Sequence, residues 1–102
     1  MAPSPFRTMD LTRRFKQKED IVYREEDDGA FLFDPDTGDL RYMNRSGRET
    51  FLMLKGDNDI SQVINNMLEL YPEVEPTKMQ KDVEDFLEEL EESHFILPFN
   101  SK

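Results

Sequence analysis

The sequence predicts a single α+β domain in which a three-stranded antiparallel sheet precedes three helices, in the order β-β-β-α-α-α. Three observations carry this prediction. Short runs of β-branched and aromatic residues occur between residues 20 and 43, turn residues separate these runs, and apolar residues recur at helical spacing from residue 44 onward. A chain of 102 residues can form one hydrophobic core, so we expect one domain, spanning residues 20–97.

The three predicted strands are residues 21–23, 30–33 and 40–43. An acidic segment that ends in Gly29 separates the first two. Residues 34–39 separate the last two, and their proline and glycine favour a tight turn. Two apolar runs around one such turn predict a β-hairpin.

Three amphipathic helices are predicted after the strands. Asn44 is a favourable N-cap for the first, and Gly56 lies where a left-handed residue often ends a helix. Pro72 is expected to end the second helix, and the third is expected to end near Ser93. Capping boxes are predicted for the last two helices by the pairs Asp59 with Gln62 and Thr77 with Gln80.

The two ends of the chain lack such patterns. Residues 1–19 have scattered charge and no sustained period, so we expect a flexible basic N-terminal arm, although Leu11 and Phe15 are spaced for a short helix. The arm could dock onto a larger protein or remain a disordered tail. Residues 95–97 are expected to fold back onto the core, and residues 98–102 to form a tail.

The composition narrows the classes of partner. The chain has no cysteine, which excludes a disulfide framework and a thiolate metal site. It has no apolar run of transmembrane length and no apolar signal-peptide core, so we expect a cytoplasmic protein. A net charge of −10 disfavours nucleic acid and anionic membranes and favours a basic or neutral partner, although the charge could serve solubility alone.

No motif for catalysis, a metal or a cofactor is recognisable. His94 is the only histidine, and its place at a predicted helix end is typical of a surface or C-cap residue. Asp34, Asp36 and Asp39 resemble part of a calcium loop but lack its distal glutamate, so a turn is the better interpretation. We therefore expect no enzyme activity, no metal site and no cofactor.

Two helices joined by a short turn beside a hairpin make the predicted fold winged helix-turn-helix-like. The third helix would then contact DNA, but residues 78–92 hold two lysines against seven acidic residues, a net charge of −5. That charge opposes binding to a polyanion, and the helix has no arginine for guanine contacts. The remaining candidate site is a sheet edge, which could accept a peptide as a further strand or be short and covered.

Several short segments occur in an order and spacing typical of a known family. They are residues 28–38, 42–44, 54–56, 60–64 and 82–87, with Leu90, Phe95 and Ile96. On these segments, residues 20–97 resemble the PqqD-like family, whose members are also called RiPP recognition elements. The chain departs from the family at Lys55, where an acidic residue is common, and in its basic arm.

The resemblance implies a non-catalytic adaptor that binds the leader segment of a ribosomally synthesised precursor peptide. The leader adds to the third strand, lies against the third helix and is presented to a modifying enzyme, often a radical-SAM protein. Carried onto this sequence, the peptide-binding residues are Leu40, Arg41, Tyr42, Met43, Lys81, Asp82, Asp85, Phe86 and Glu89.

Three alternatives to this site and function stay open. Met43 and Phe86 belong to apolar positions that more often form core, and the charged residues of the set could be merely solvated. The chain could instead be a structural subunit or chaperone of a partner enzyme that binds no peptide. An enzyme that uses carboxylates is the third alternative.

Overall fold

The computed structural model describes residues 10–99. These residues form an α+β fold of two three-stranded antiparallel sheets and three helices. The elements in chain order are β1 (Arg14–Gln17), β2 (Val22–Glu26), β3 (Gly29–Phe33), β4 (Leu40–Asn44), α1 (Arg45–Leu52), β5 (Lys55–Asp59), α2 (Ile60–Leu70), α3 (Pro76–Glu92) and β6 (Ile96–Phe99).

The three strands predicted from the sequence pair as expected, in the spatial order β2-β3-β4. Phe33 pairs with Val22 on one side and Leu40 on the other, and Leu32 lies one position further along the same ladder. Ala30 and Leu32 are fully buried on the inner face of this sheet. Because β3 is central, β4 is an edge strand, and no strand within residues 10–99 pairs with its other side.

A second sheet, in the order β5-β1-β6, was not predicted. Its central strand lies inside the predicted flexible arm, and Phe15 in that strand is fully buried in the core. The prediction of an arm is therefore wrong for Arg14–Gln17, while residues 1–9 lie outside the described residues. The predicted tail is likewise wrong for Pro98 and Phe99, which belong to β6.

The predicted order β-β-β-α-α-α is incomplete because these three strands carry little local signal. β1 has a single apolar residue among polar ones, and β5 (Lys55–Asp59) is polar throughout apart from Gly56. Gly56 has the predicted left-handed conformation, with a φ of 90°. It does not end α1 as predicted, because α1 ends at Leu52 and Gly56 lies within β5. The strands are specified by pairing between distant segments, such as Phe15 with Pro98, which periodicity does not reveal.

Two of the three predicted helix starts are confirmed. The Asn44 side chain accepts a hydrogen bond from the Gly47 N–H at 2.9 Å at the start of α1. The capping box of Asp59 and Gln62 is present at the start of α2. The predicted box at Thr77 is wrong, because α3 begins at Pro76, whose fixed φ suits the first helical position.

The chain turns sharply from α3 into β6. The N–H groups of His94 and Phe95 donate to the carbonyls of Glu91 and Leu90, at 3.1 and 3.0 Å. This pair of bonds is a Schellman motif, and His94 occupies its left-handed position with a φ of 63°. The prediction of an exposed C-terminal residue of the helix is confirmed for His94.

A buried ion pair joins the hairpin of β3 and β4 to the end of β1. Lys18 Nζ lies 2.7 Å from Asp34 Oδ2, and Asp34 is only 2% exposed. The second oxygen of Asp34 accepts a hydrogen bond from the Asp36 N–H at 2.9 Å. The Lys18 ammonium holds the pKa of Asp34 below its ordinary value. Asp34 is therefore committed to the turn and to Lys18, as the turn interpretation of this segment requires.

Replacing Phe15 with alanine is expected to lower the free energy of unfolding by about 3–5 kcal/mol, because it leaves a cavity in the core. Urea denaturation followed by circular dichroism measures this change. Glu19→Ala is the control, since Glu19 is exposed, and its effect should stay within about 0.5 kcal/mol. A loss of under about 1 kcal/mol for Phe15→Ala would show that β1 is not part of the folded core.

Replacing Asp34 with asparagine keeps an acceptor for the Asp36 N–H but removes the charge that faces Lys18. Because the folded state lowers the pKa of Asp34, the ionised carboxylate stabilises the fold above its unfolded pKa, about 3.9. That contribution is lost as the pH falls through the folded pKa. We expect Asp34→Asn to be less stable than the wild type at pH 7, with a smaller difference below about pH 4. Equal differences in urea unfolding at the two pH values would contradict this assignment.

Candidate functional site

A groove with a volume of about 450 Å³ runs along α3. Four of the predicted site residues, Asp82, Asp85, Phe86 and Glu89, line it. The other lining residues come from the end of β4, from α1, from the end of α2 and its connector, and from α3. They are Asn44, Ser46, Gly47, Thr50, Met67, Tyr71, Val74, Met79 and Val83.

The groove has an apolar floor. Met67, Met79 and Val83 are buried there, and the Phe86 ring is half-buried. Phe86 comes so close to α1 that a Cβ at Gly47 would lie 3.1 Å from the ring. A glycine at position 47 therefore allows the ring to lie between the two helices, which gives Phe86 a place in the groove.

The backbone of β4 offers hydrogen-bonding groups at its free edge. In the β3–β4 ladder, the Asp34 N–H donates to the Asp39 carbonyl at 2.9 Å. Bonded and non-bonded pairs alternate along an antiparallel ladder. Counting from the bonded pair of Asp34 and Asp39, the next pair, Phe33 with Leu40, is non-bonded, and the one after it, Leu32 with Arg41, is bonded. The backbone groups of Arg41 therefore bond to β3. By the same alternation, the N–H and C=O groups of Leu40 and Tyr42 face away from β3.

The side chains of β4 divide between two faces. Met43 is 2% exposed and packs in the core, while Arg41 lies on the same inner face and is partly buried. Leu40 and Tyr42 point to the opposite face, where they are 65% and 51% exposed. The strand therefore contributes its backbone to the candidate site, and Met43 is core, one of the alternatives that the sequence left open.

The acidic side chains at the rim of the groove each have a basic partner. Asp82 lies 2.6 Å from Lys78, and Asp85 lies 2.6 Å from Lys81. The hydrogen bond to Asp85 raises the pKa of Lys81. Both pairs are exposed, so they contribute little stability, and their lysines can be exchanged for another cation. Lys81 does not line the groove itself, but it bonds to Asp85, which does.

Arg41 connects the edge strand to the helix. Its guanidinium bonds to the Glu89 carboxylate, which joins β4 to α3 at one end of the groove. The Nε atom of Arg41 is buried and has no hydrogen-bond partner among residues 10–99. This contact joins residues 48 positions apart, so sequence spacing gave no signal for it.

The described residues show no site for a metal. Between residues 10 and 99, no group of three or more His, Cys, Asp or Glu side chains is arranged to hold an ion. The helices in the same range are also too short or too polar to cross a membrane.

Comparisons with known proteins identify the fold and the family. A family model described as Coenzyme PQQ synthesis protein D (PqqD) matches residues 29–96. No curated protein matches the chain. Among solved structures, the chain is similar to one described as TbiB1 in complex with the TbiA(beta) leader peptide. That similarity has a TM-score of 0.73 and 19% identity, and it covers 84% of this chain and 99% of the other.

The matched residues 29–96 contain the edge strand, all three helices and every residue that lines the groove. The family is one of non-catalytic domains, in agreement with the prediction that the chain is not an enzyme. Since the match covers most of its length, the chain belongs to the PqqD family of RiPP recognition elements that its sequence resembles.

Proposed function

We propose that this chain is an adaptor that binds the leader segment of a ribosomally synthesised precursor peptide and presents it to a modifying enzyme. One observation carries the proposal: no strand within residues 10–99 pairs with the outer edge of β4, and a groove with an apolar floor runs along α3 and reaches the end of β4 at Asn44. The similarity to a structure that holds a leader peptide supports it.

The leader adds to the sheet as a strand beside β4. The outward N–H and C=O groups of Leu40 and Tyr42 bond to its backbone, which supplies affinity without regard to sequence. Alternate side chains of the leader point toward α3, where the groove over Phe86 accepts them. The shape and apolar character of the groove then select the leader.

Basic residues of the leader are attracted by the rim of the groove. Asp82, Asp85 and Glu89 lie on a helix with a net charge of −5 between residues 78 and 92. A lysine or arginine of the leader takes the place of Lys78 or Lys81 at these carboxylates. The exchange leaves no charged group unpaired and buried, because the carboxylate gains the leader's cation and the displaced lysine is solvated by water.

Two parts of the proposal concern the partner enzyme and the cellular compartment. The family resemblance makes a radical-SAM protein a candidate for the modifying enzyme. The lack of cysteine favours the cytoplasm as the compartment.

A structural subunit or chaperone of a partner enzyme is the second candidate function. Exposed apolar side chains on the outer face of the β2-β3-β4 sheet favour it, because such patches mark protein contacts. A chain of this kind would bind its enzyme but no leader peptide.

Proline at position 42 is expected to abolish leader binding. It removes an N–H that faces the free edge, and an edge strand tolerates proline there, so the fold should stay intact. Proline at position 41 removes an N–H bonded to β3, which should lower the free energy of unfolding by roughly 1–3 kcal/mol. Isothermal titration uses the leader of a short peptide encoded beside this chain's gene, and urea unfolding gives the stabilities.

The control for the proline at position 42 is Tyr42→Thr, which removes the same side chain but keeps the N–H group. Because this variant keeps the backbone bond to the leader, it should lose much less affinity than Tyr42→Pro. If a folded Tyr42→Pro variant binds as tightly as the wild type, the leader does not add to β4.

Reversing two rim charges, in the double variant Asp82→Lys and Asp85→Lys, is expected to weaken leader binding by roughly 1–3 kcal/mol. The loss should be larger at low salt, where screening is weaker. The matched control is Asp57→Lys with Glu92→Lys. It changes the net charge equally at exposed positions outside the groove. Titrations at two salt concentrations measure both, and equal losses would show that only the total charge matters.

A further inference from the structure

The outer face of the β2-β3-β4 sheet carries an exposed apolar patch beside the charged pair of Arg24 and Glu26. Its apolar residues are Val22, Phe31, Phe33, Leu40 and Tyr42. The pairing register sets them in two rows across the strands: Val22, Phe33 and Leu40 form the first, and Phe31 and Tyr42 belong to the second. An antiparallel sheet with one face in water normally carries polar residues there, so this face requires a covering partner.

Exposure is greatest where the first row ends. Leu40 on β4 is 65% exposed, Val22 on the opposite edge is 52% exposed, and the central Phe33 is 38% exposed. In the second row the rings of Phe31 and Tyr42 pack with their centroids 5.2 Å apart, which leaves the far side of Tyr42 open. Both rows therefore end in an open apolar side chain at the edge where the leader is proposed to add.

A strand beside β4 would place its own side chains against these row ends. The residues directly opposite Leu40 and Tyr42 point to the same face, with Cβ atoms about 4.5–5.5 Å away. The residue between them points the other way, toward Arg41 and α3. The register of β4 thus fixes two outward positions in the leader, two residues apart.

We propose that the leader carries apolar side chains at these two outward positions, so that it extends both rows to a fourth strand. The inference rests on the proposed adaptor function. It predicts that the leader is apolar both at the positions that face the outer side of the sheet and at those that enter the groove. Recognition through the groove alone would leave the outward positions free to be polar.

Charge disfavours a second copy of the chain as the cover for this face. Acidic turns lie at both ends of the central strand β3, with Asp27 and Asp28 before it and exposed Asp36 and Asp39 after it. A second copy would bring a net charge of −10 against them. A short neutral or basic peptide at the β4 edge meets no such repulsion.

The test begins with a displayed library of random 12-residue peptides selected on the wild-type chain. We expect the enriched peptides to share apolar residues two positions apart. Their affinities are then measured by fluorescence anisotropy with the double variant Leu40→Thr and Tyr42→Thr, which keeps strand-forming residues and both N–H groups. Two lost cross-strand pairs should weaken binding roughly three- to tenfold.

The matched control is Val22→Thr, which lies in the same row as Leu40 but at the far edge of the sheet. It should leave peptide affinity unchanged within about twofold, because three strand spacings of about 4.8 Å separate it from the added strand. A double-mutant cycle between Leu40→Thr and a threonine at each shared apolar position of the peptide should show coupling at one outward position. Thermal melts confirm that each variant is folded.

The outcomes separate the inference from the proposed function. If peptides are enriched but the double variant binds them like the wild type, or their shared positions are polar, the outward contacts do not exist and the inference is overturned. If Val22→Thr lost as much peptide affinity as the double variant, the inference would also be overturned, because the whole outer face would then contact the peptide. If no peptide is enriched and the leader of the neighbouring gene does not bind, the adaptor function itself fails.

Discussion

The distance between the edge strand and the third helix depends on β1, because both sides of the groove are held by it. On one side, Lys18 at the end of β1 forms the buried ion pair with Asp34, which fixes the turn from which β4 begins. On the other side, β1 pairs with β6, and the Schellman motif at His94 joins β6 directly to α3. The Lys18 N–H also donates to the Phe95 carbonyl at 3.0 Å, so one short segment contacts both walls.

The negative charge of α3 would repel DNA, but it would attract a basic peptide. The same net charge of −5 that opposes binding in a DNA major groove includes the carboxylates at the rim of the groove along α3, where we propose that the leader binds. Lys78 and Lys81 neutralise part of this rim through exposed pairs at i, i+4 spacing, which cost little to open. Arg41 differs from them because it extends from β4 to α3, and its buried Nε has no hydrogen-bond partner in the described part of the chain.

The parts that the sequence predicts are those in which neighbouring residues carry the signal. The strands β2, β3 and β4 follow from short β-branched and aromatic runs separated by turn residues, and α2 follows from its stripe and its capping box. Strand β5 could not be predicted in this way, since Lys55–Asp59 has no apolar alternation and pairs with a distant segment. The sequence predicted only four of the residues that line the groove, because most of the others come from segments that are distant from α3 in the chain. Ser46, Thr50 and Tyr71 each look like ordinary helix residues until the fold brings them to Phe86.

An exposed edge strand with apolar neighbours is a hazard, because it can pair with the same edge of another copy. Here the edge of β4 lies between acidic turns on a chain with a net charge of −10. Two such chains repel each other as their edges approach, whereas a short neutral or basic peptide does not encounter that repulsion. The acidic composition therefore has a structural consequence beyond solubility, because it disfavours self-association through β4 and agrees with the proposed binding of a neutral or basic peptide there.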